Sequence, residues 1–179
     1  MPSAPKPPTL LATSLVIADL ASLIGTHLIT LGSKSVVHPR GRLNSTYAPI
    51  TVGSNCILSE RSSIGLQSPP TVDQEQGVVI GDFVVVESGA VVEAKKIGDG
   101  SLIEINAKVG KGAVLGKHCK IGPLCEVAEG EVLPDYTVVY GNGMRRIDNS
   151  GVEDLKLKMV SQHAGVMKKL ISSNLSKFQ

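Results

Sequence analysis

The sequence predicts an all-β solenoid, a parallel β-helix of about six triangular coils followed by a C-terminal α-helix. Three observations predict it. An aliphatic residue returns every six positions through most of the chain, and a small residue follows four positions after it. Aromatic residues make up only 3% of the composition, with no Trp. An amphipathic helix needs apolar spacing of about 3.6 residues and a half-buried strand about 2, so a sustained period of six fits neither. It fits short strands separated by corners, around a core too narrow to need large rings.

The period is clearest downstream. Ile97, Ile103, Val109, Leu115, Ile121, Val127, Leu133 and Val139 follow one another without a break. Upstream the same register holds in blocks: Ile80, Val86, Val92; then Val52, Leu58, Ile64; then Leu31, Val37, Leu43; and more faintly Ile17 and Leu23. Gly often follows the aliphatic, as in Leu31-Gly32, Val52-Gly53, Ile80-Gly81 and Ile97-Gly98, which marks a recurring corner. Ser35, Gly41, Cys56, Ser62, Ala90, Ser101, Ala107, Ala113, Cys119, Cys125 and Thr137 take the small position and are expected to point inward with the aliphatics. Three such hexads make one coil, and coils stack at about the strand spacing of 4.8 Å, each backbone group pairing above and below.

Breaks in register place the loops. Leu43 to Val52 spans nine residues, Ile64 to Ile80 sixteen, and Val92 to Ile97 only five. The longest insertion carries Ser68-Pro69-Pro70, Asp73 and Glu75, the composition of an exposed loop. The expected organisation is a Pro-rich disordered tail over 1–14, the β-helix over 15–140, a linker over 141–149 and a helix over 150–175. Ser150 is expected to cap the helix, with Glu153 completing a capping box. Val152, Leu155, Met159, Val166 and Leu170 form one apolar stripe, with Val160, Met167 and Ile171 beside it, so the helix should pack on the β-helix or on a partner.

Charge and length exclude several classes. Eighteen Lys and Arg against sixteen Asp and Glu give a net charge of +2, no electrostatic case for nucleic acid. No apolar run approaches the roughly 20 residues that span a bilayer. Cys56, Cys119 and Cys125 lack CxxC spacing and all fall on the inward small position, where a thiol packs as a small hydrophobe, which points to a reducing cytoplasmic setting.

The [LIV]-G-x-x-[STAVC]-x pattern resembles the hexapeptide-repeat superfamily, and that resemblance implies a left-handed winding. Enzymes of this fold are mainly acyltransferases and gamma-class carbonic anhydrases. The segments around Val52-Gly53-Ser54-Asn55 and from Ile80-Gly81-Asp82 to Ile97-Gly98-Asp99 resemble the second group, but its zinc-binding positions fall on Gly65, Ser88 and Glu93. Gly offers no donor and Ser is a rare ligand, so no metal and no cofactor is expected. The acyltransferases commonly use a His base. His27 lies in the irregular second coil, His38 at a corner before Pro39, His118 within a regular hexad and His163 on the helix, none in an obvious catalytic loop.

Glu87 and Glu104 both stand where the corner Gly is usual. Seventeen residues make one coil here, so they should stack on one vertex, either as solvated carboxylates or facing a basic partner or a cation. Beyond the repeat, the coil Leu31 to Arg40, the insertion after Ile64, the pair Val86-Glu87 and Ile103-Glu104, and Val138-Val139-Tyr140-Gly141 followed by Met144-Arg145-Arg146 resemble the dynactin subunit 6 family. The extra residues between Leu23 and Leu31 and the short loop after Ile64 depart from its pattern. The resemblance implies a non-catalytic, cytoplasmic, cytoskeleton-associated subunit of the dynactin pointed-end complex. It would pair with dynactin subunit 5, lie beside the actin-related protein and support dynein cargo selection. Glu87, Glu104, Arg145, Arg146 and His163 are the candidate partner-binding residues. The alternatives are a homotrimeric acyltransferase and a degenerate carbonic-anhydrase-like enzyme.

Overall fold

The computed structural model describes residues 6–70 and 77–179. In it the hexads become short parallel strands on three sheets, every third strand stacking on the same sheet. The first sheet holds β1 (Thr9–Leu11), β4 (Ile29–Leu31), β7 (Ile50–Val52), β10 (Val78–Ile80), β13 (Lys96–Ile97), β16 (Val114–Leu115) and β19 (Val132–Leu133). The second holds β2 (Val16–Ile17), β5 (Val36–Val37), β8 (Ile57–Leu58), β11 (Val85–Val86), β14 (Leu102–Ile103), β17 (Lys120–Ile121) and β20 (Thr137–Tyr140). The third holds β3 (Ser22–Gly25), β6 (Arg42–Ser45), β9 (Ser63–Ile64), β12 (Val91–Val92), β15 (Lys108–Val109) and β18 (Glu126–Val127). Six coils are therefore complete, and β19 and β20 begin a seventh.

All nineteen aliphatics of the repeat are buried, and they stack in columns such as Val37 on Leu58, Val86, Ile103 and Ile121. The small positions are buried between them, and their polar atoms are used on the corners. Ser35 Oγ donates to the Gly53 carbonyl at 2.8 Å and Thr137 Oγ1 to that of Pro134 at 2.7 Å. The Gly after the aliphatic answers to space. A Cβ on Gly98 would lie 2.5 Å from the Gly116 carbonyl carbon of the next coil, so two backbones pass there with no room for a side chain. The left-handed residue that turns the chain comes two positions later, at Lys34, Asn55, Phe83, Gly100, His118 and Tyr136.

The unequal spacings share one corner. Leu23 to Leu31, Leu43 to Val52, Ile64 to Ile80 and Val92 to Ile97 all join the third sheet to the first. A corner chain can bulge outward without disturbing the ladders on either side, which is where a solenoid absorbs length changes. Within the 65–79 insertion, residues 71–76, including Asp73 and Glu75, lie outside the described residues; Lys111 Nζ holds its start through Ser68 Oγ at 3.1 Å and the Pro69 carbonyl at 2.8 Å.

Three boundaries differ from expectation. The solenoid starts inside the expected tail, because Thr9–Leu11 pairs with Ile29–Leu31 and Leu11 extends the hexad register one step; residues 1–5 lie outside the described residues. The expected linker folds back as β21 (Met144–Ile147), antiparallel to β20, which covers the outer edge of the second sheet. The helix α1 runs from Glu153 to Leu170 with Val152 at its N-cap and no side-chain cap. Ser150 does not cap it: it stands two residues before the N-cap, its N–H donates back to Asp148 Oδ1 at 3.1 Å, and the left-handed Gly151 follows it. Asp148 also receives Lys156 Nζ at 2.9 Å, and the hydrogen bonds from Lys156 and Ser150 hold its carboxyl well below the usual carboxylate range.

Helix α1 packs on the outer face of the second sheet, where Val16, Val36, Ile57 and Val85 point outward in one column. Its docking stripe is Val160, Ala164, Met167 and Ile171, and small Ala164, fully buried, lets the helix approach closely. Beyond the helix the chain returns to the first coil. Ala18 bridges Ser173, the Asn174 N–H donates to the Ile17 carbonyl at 3.2 Å, and Phe178 enters the core at the open end of the solenoid. Phe178 closes a column that would otherwise end in water.

Because Phe178 is 6% exposed and lies on the core, Phe178→Ala is expected to lower stability by about 3 kcal/mol, the usual loss for a buried ring. Urea unfolding measures the total, and hydrogen exchange should quicken first at Thr9–Leu11 and Val16–Ile17 rather than in the later coils.

Candidate functional site

Glu87 and Glu104 stand one above the other on the vertex after the second sheet, as the pairing of Val86 with Ile103 requires. Both are half-buried. The two differ in partner: Glu104 is bridged at 3.2 Å by Lys120, which sits on the strand of the next coil, whereas Glu87 has no side-chain partner among the described residues. Part of the like-charge repulsion is thus relieved inside the chain, and Glu87 is the carboxylate left for another charge.

The three positions aligned with zinc ligands do not fit the metal. Gly65 has φ +122°, and any Cβ there would stand 2.1 Å from the Asn44 carbonyl oxygen, so the position is closed to every donor side chain. Ser88 is exposed on a turn, where its carbonyl accepts the Asn106 N–H at 3.0 Å. Glu93 accepts the Gln67 N–H at 2.9 Å and thereby fixes the root of the long insertion. Two oxygen donors and a glycine do not make a catalytic zinc site.

His118 and His38 are both partly buried in the fold. His118 stacks on Tyr136 with ring centroids 5.4 Å apart, and its Nδ1 is buried beneath Gly100 without a hydrogen-bond partner. His38 is half-buried, and its Nε2 likewise lacks a partner. Burial lowers the His38 pKa, the neighbouring His163 lowers it further, and Glu60 acts in the opposite sense. His163 itself is exposed on α1. The thiols are all buried: burial pushes Cys56 up to about 12 and raises Cys119 as well.

The two arginines after the repeat have separate tasks. Arg145 grips Glu131 with two nitrogens, Nε on Oε1 at 2.9 Å and Nη2 on Oε2 at 3.0 Å, which ties β21 to the corner just before β19. Arg146 makes no ion pair among the described residues. It lines a groove of about 470 Å³ between β21, the start of α1 and the second sheet, with Leu102, Lys120, Val152, Lys156 and Met159. Sequence reasoning treated both arginines alike and did not find this groove. Its signal was the outward aliphatic column of the second sheet, whose upper members α1 leaves uncovered.

Two measurements check this geometry. Unfolded His38 takes its proton near the ordinary value of about 6.5, the folded residue only at lower pH, so the unfolded state binds more protons between those values. Stability is therefore expected to be complete above pH 6.5 and to fall as pH drops below it, and His38→Asn should flatten that slope in urea melts at pH 7.5 and 5.5. At pH 7.5 a chromogenic disulfide reagent is expected to leave Cys56, Cys119 and Cys125 unlabelled until denaturant is added, Cys56 being the least reactive.

The geometry is shared with known proteins. A family described as "Bacterial transferase hexapeptide (six repeats)" matches residues 95–129. Among solved structures, a hexapeptide transferase family protein from Anaplasma phagocytophilum superposes with a TM-score of 0.75 at 15% identity, covering 90% of this chain and 91% of the other. A putative acetyltransferase from Bacillus cereus gives a TM-score of 0.60 at 17% identity, covering 90% and 92%. At such identity these likenesses concern the fold alone. Sequence relatives are nearer. Dynactin subunit 6 from Nematostella vectensis is 37% identical over 66% of this chain and 67% of the relative. The Danio rerio protein of the same name is 33% identical over 73% and 71%. On this kinship the chain belongs to the dynactin subunit 6 family.

Proposed function

We propose that the chain is a non-catalytic structural subunit of dynactin, working in the cytoplasm on the cytoskeleton as part of the pointed-end complex. Its kinship with dynactin subunit 6 proteins carries the reading. The site chemistry supports it: Gly65 admits no ligand, the thiols are buried, and His118 is pinned between Gly100 and Tyr136. In this reading the chain pairs with the sister β-helix dynactin subunit 5, lies beside the actin-related protein and helps dynein select cargo. Among the described residues no helix is long and apolar enough to cross a membrane.

The ends of the solenoid suggest how such a subunit is used. Phe178 and the C-terminal segment close the first coil, and β21 covers β20, but β18 and β19 keep unpaired outer edges. Val132 on β19 and Leu124 before β18 are 69% and 75% exposed. Open strand edges beside apolar side chains favour contact with another chain. Affinity-tagged chain purified from cytosol is expected to carry dynactin subunits at one copy each, and the isolated chain to sediment as a monomer. A stable homotrimer that consumes acetyl-coenzyme A, with no dynactin subunit bound, would replace this reading with the acyltransferase one.

A further inference from the structure

Helix α1 has a second apolar stripe that the solenoid does not use. Leu155, Met159, Val166 and Leu170 are 58%, 59%, 51% and 71% exposed, and Val152 at the N-cap extends the line at 37%. At 100° per residue these five fall within a narrow arc, while the docked Val160, Ala164, Met167 and Ile171 lie about a quarter to a half turn away. Most exposed large apolar residues elsewhere on the chain are scattered singly; here five share one line roughly 27 Å long, at 1.5 Å per residue.

The spacing of this line specifies a shape. Val152, Leu155, Met159, Gln162 and Val166 follow the alternating three- and four-residue steps of a seam that packs against another helix. Gln162, exposed in the middle of the seam, is the kind of polar residue that fixes the register of a pair. Charge specifies the partner. Lys158 and Lys169 border the line on one side, exposed and without an ion pair among the described residues. On the other side stand His163 and Lys156, the latter already tied to Asp148. The carboxylates of α1, Glu153 and Asp154, are confined to its first turn. A second copy of this chain would set cations against cations along most of that length. The C-terminal segment beyond Ile171 is committed to the first coil and does not cover the line.

We infer that the outer stripe of α1 is a docking surface for an amphipathic helix of another protein, one with apolar seam residues and Asp or Glu on the flank that faces Lys158 and Lys169. The inference deepens the reading of the chain as an assembly subunit and rests on it for its biological setting, but the surface itself is tested on the isolated chain. The acidic flank would meet Lys158 and Lys169, adding attraction that fades with salt. The contact would lie along the flank of α1 that borders the Arg146 groove through Val152 and Met159, leaving the free edges of β18 and β19 for a separate neighbour.

The probe is a pair of fluorescent three-heptad peptides with the same Leu and Ile seam, one flanked by Glu and the other by Lys, titrated with full-length protein. The Glu-flanked peptide is expected to bind at least about tenfold more tightly, with the advantage shrinking as salt rises. Met159→Glu, on the exposed stripe, should weaken it about tenfold or more without shifting the melting temperature. Lys158→Glu combined with Lys169→Glu should reverse the preference. Equal binding of both peptides, binding of neither, or a double variant that keeps the original preference would overturn the inference, as would self-association through the stripe, seen as a mass doubling that Met159→Glu abolishes. The same variants are then tested for co-purification with dynactin subunits. Retained co-purification after failed peptide binding removes the stripe and leaves the assembly reading standing, whereas peptide binding without dynactin subunits does the reverse.

Discussion

Everything in this molecule depends on parallel pairing between consecutive coils at constant register. Each strand donates to and accepts from the strands above and below it, as when the Glu87 N–H meets the Ile103 carbonyl at 2.8 Å and the Glu104 N–H that of Ile121 at 2.9 Å. Such pairing fixes which residue lies over which, so one inward aliphatic per strand is enough to build a continuous column. The column is thin. It has no place for aromatic rings except at its end, where Phe178 fills the first coil. The same close stacking demands Gly at corners such as Gly98 over Gly116, and allows Ser, Thr or Cys at the small position because a corner carbonyl stands ready to accept.

A ladder that continues indefinitely has to be stopped, and this chain stops it unequally. The C-terminal segment bridges Ala18 and brings Phe178 under the first coil, which makes residues distant in sequence responsible for closing the N-terminal end. At the other end only the second sheet is covered, by β21, which the Arg145–Glu131 fork holds down. Between the ends, α1 lies on the one face whose outward column is aliphatic. That arrangement explains why a helix with two apolar lines can be stable: one is bound by Val16, Val36 and Ile57, and the other remains on the surface.

The fold is common to acyltransferases, and fold says little about function. The informative features are the positions where chemistry would have to stand. At Gly65 the backbone of Asn44 occupies the space of a ligand, so a single close approach removes the zinc reading more firmly than the residue type alone. Glu104 is neutralised by Lys120, which reduces the expected acidic pair on that vertex to Glu87. What remains is surface: a groove with an uncommitted Arg146, two free strand edges and an exposed helical seam. The proposed role in an assembly rests on such surface rather than on a reaction centre.

The architecture was legible in the sequence because the period of six is a local pattern repeated in every coil. The inward identity of Ile97, Ile103 and their equivalents, the buried cysteines and the stacking of Glu87 on Glu104 all follow from it. The Pro-rich start masked Leu11 as one more member of the series, and Ser150 with Glu153 imitated a capping box that Gly151 and Asp148 break. The helix was legible as amphipathic, but not which stripe would dock, since both are apolar. That choice belongs to the tertiary structure, because it depends on Val16, Val36, Ile57 and Val85 arriving from four different coils to make one surface. By itself the sequence determined the repeating cross-section, which is set by neighbours in the chain. The closure of the first coil by Phe178, the internal partners of Glu104 and Arg145, and the face that α1 leaves open were decided only by folding, because each joins residues that only the completed solenoid brings together.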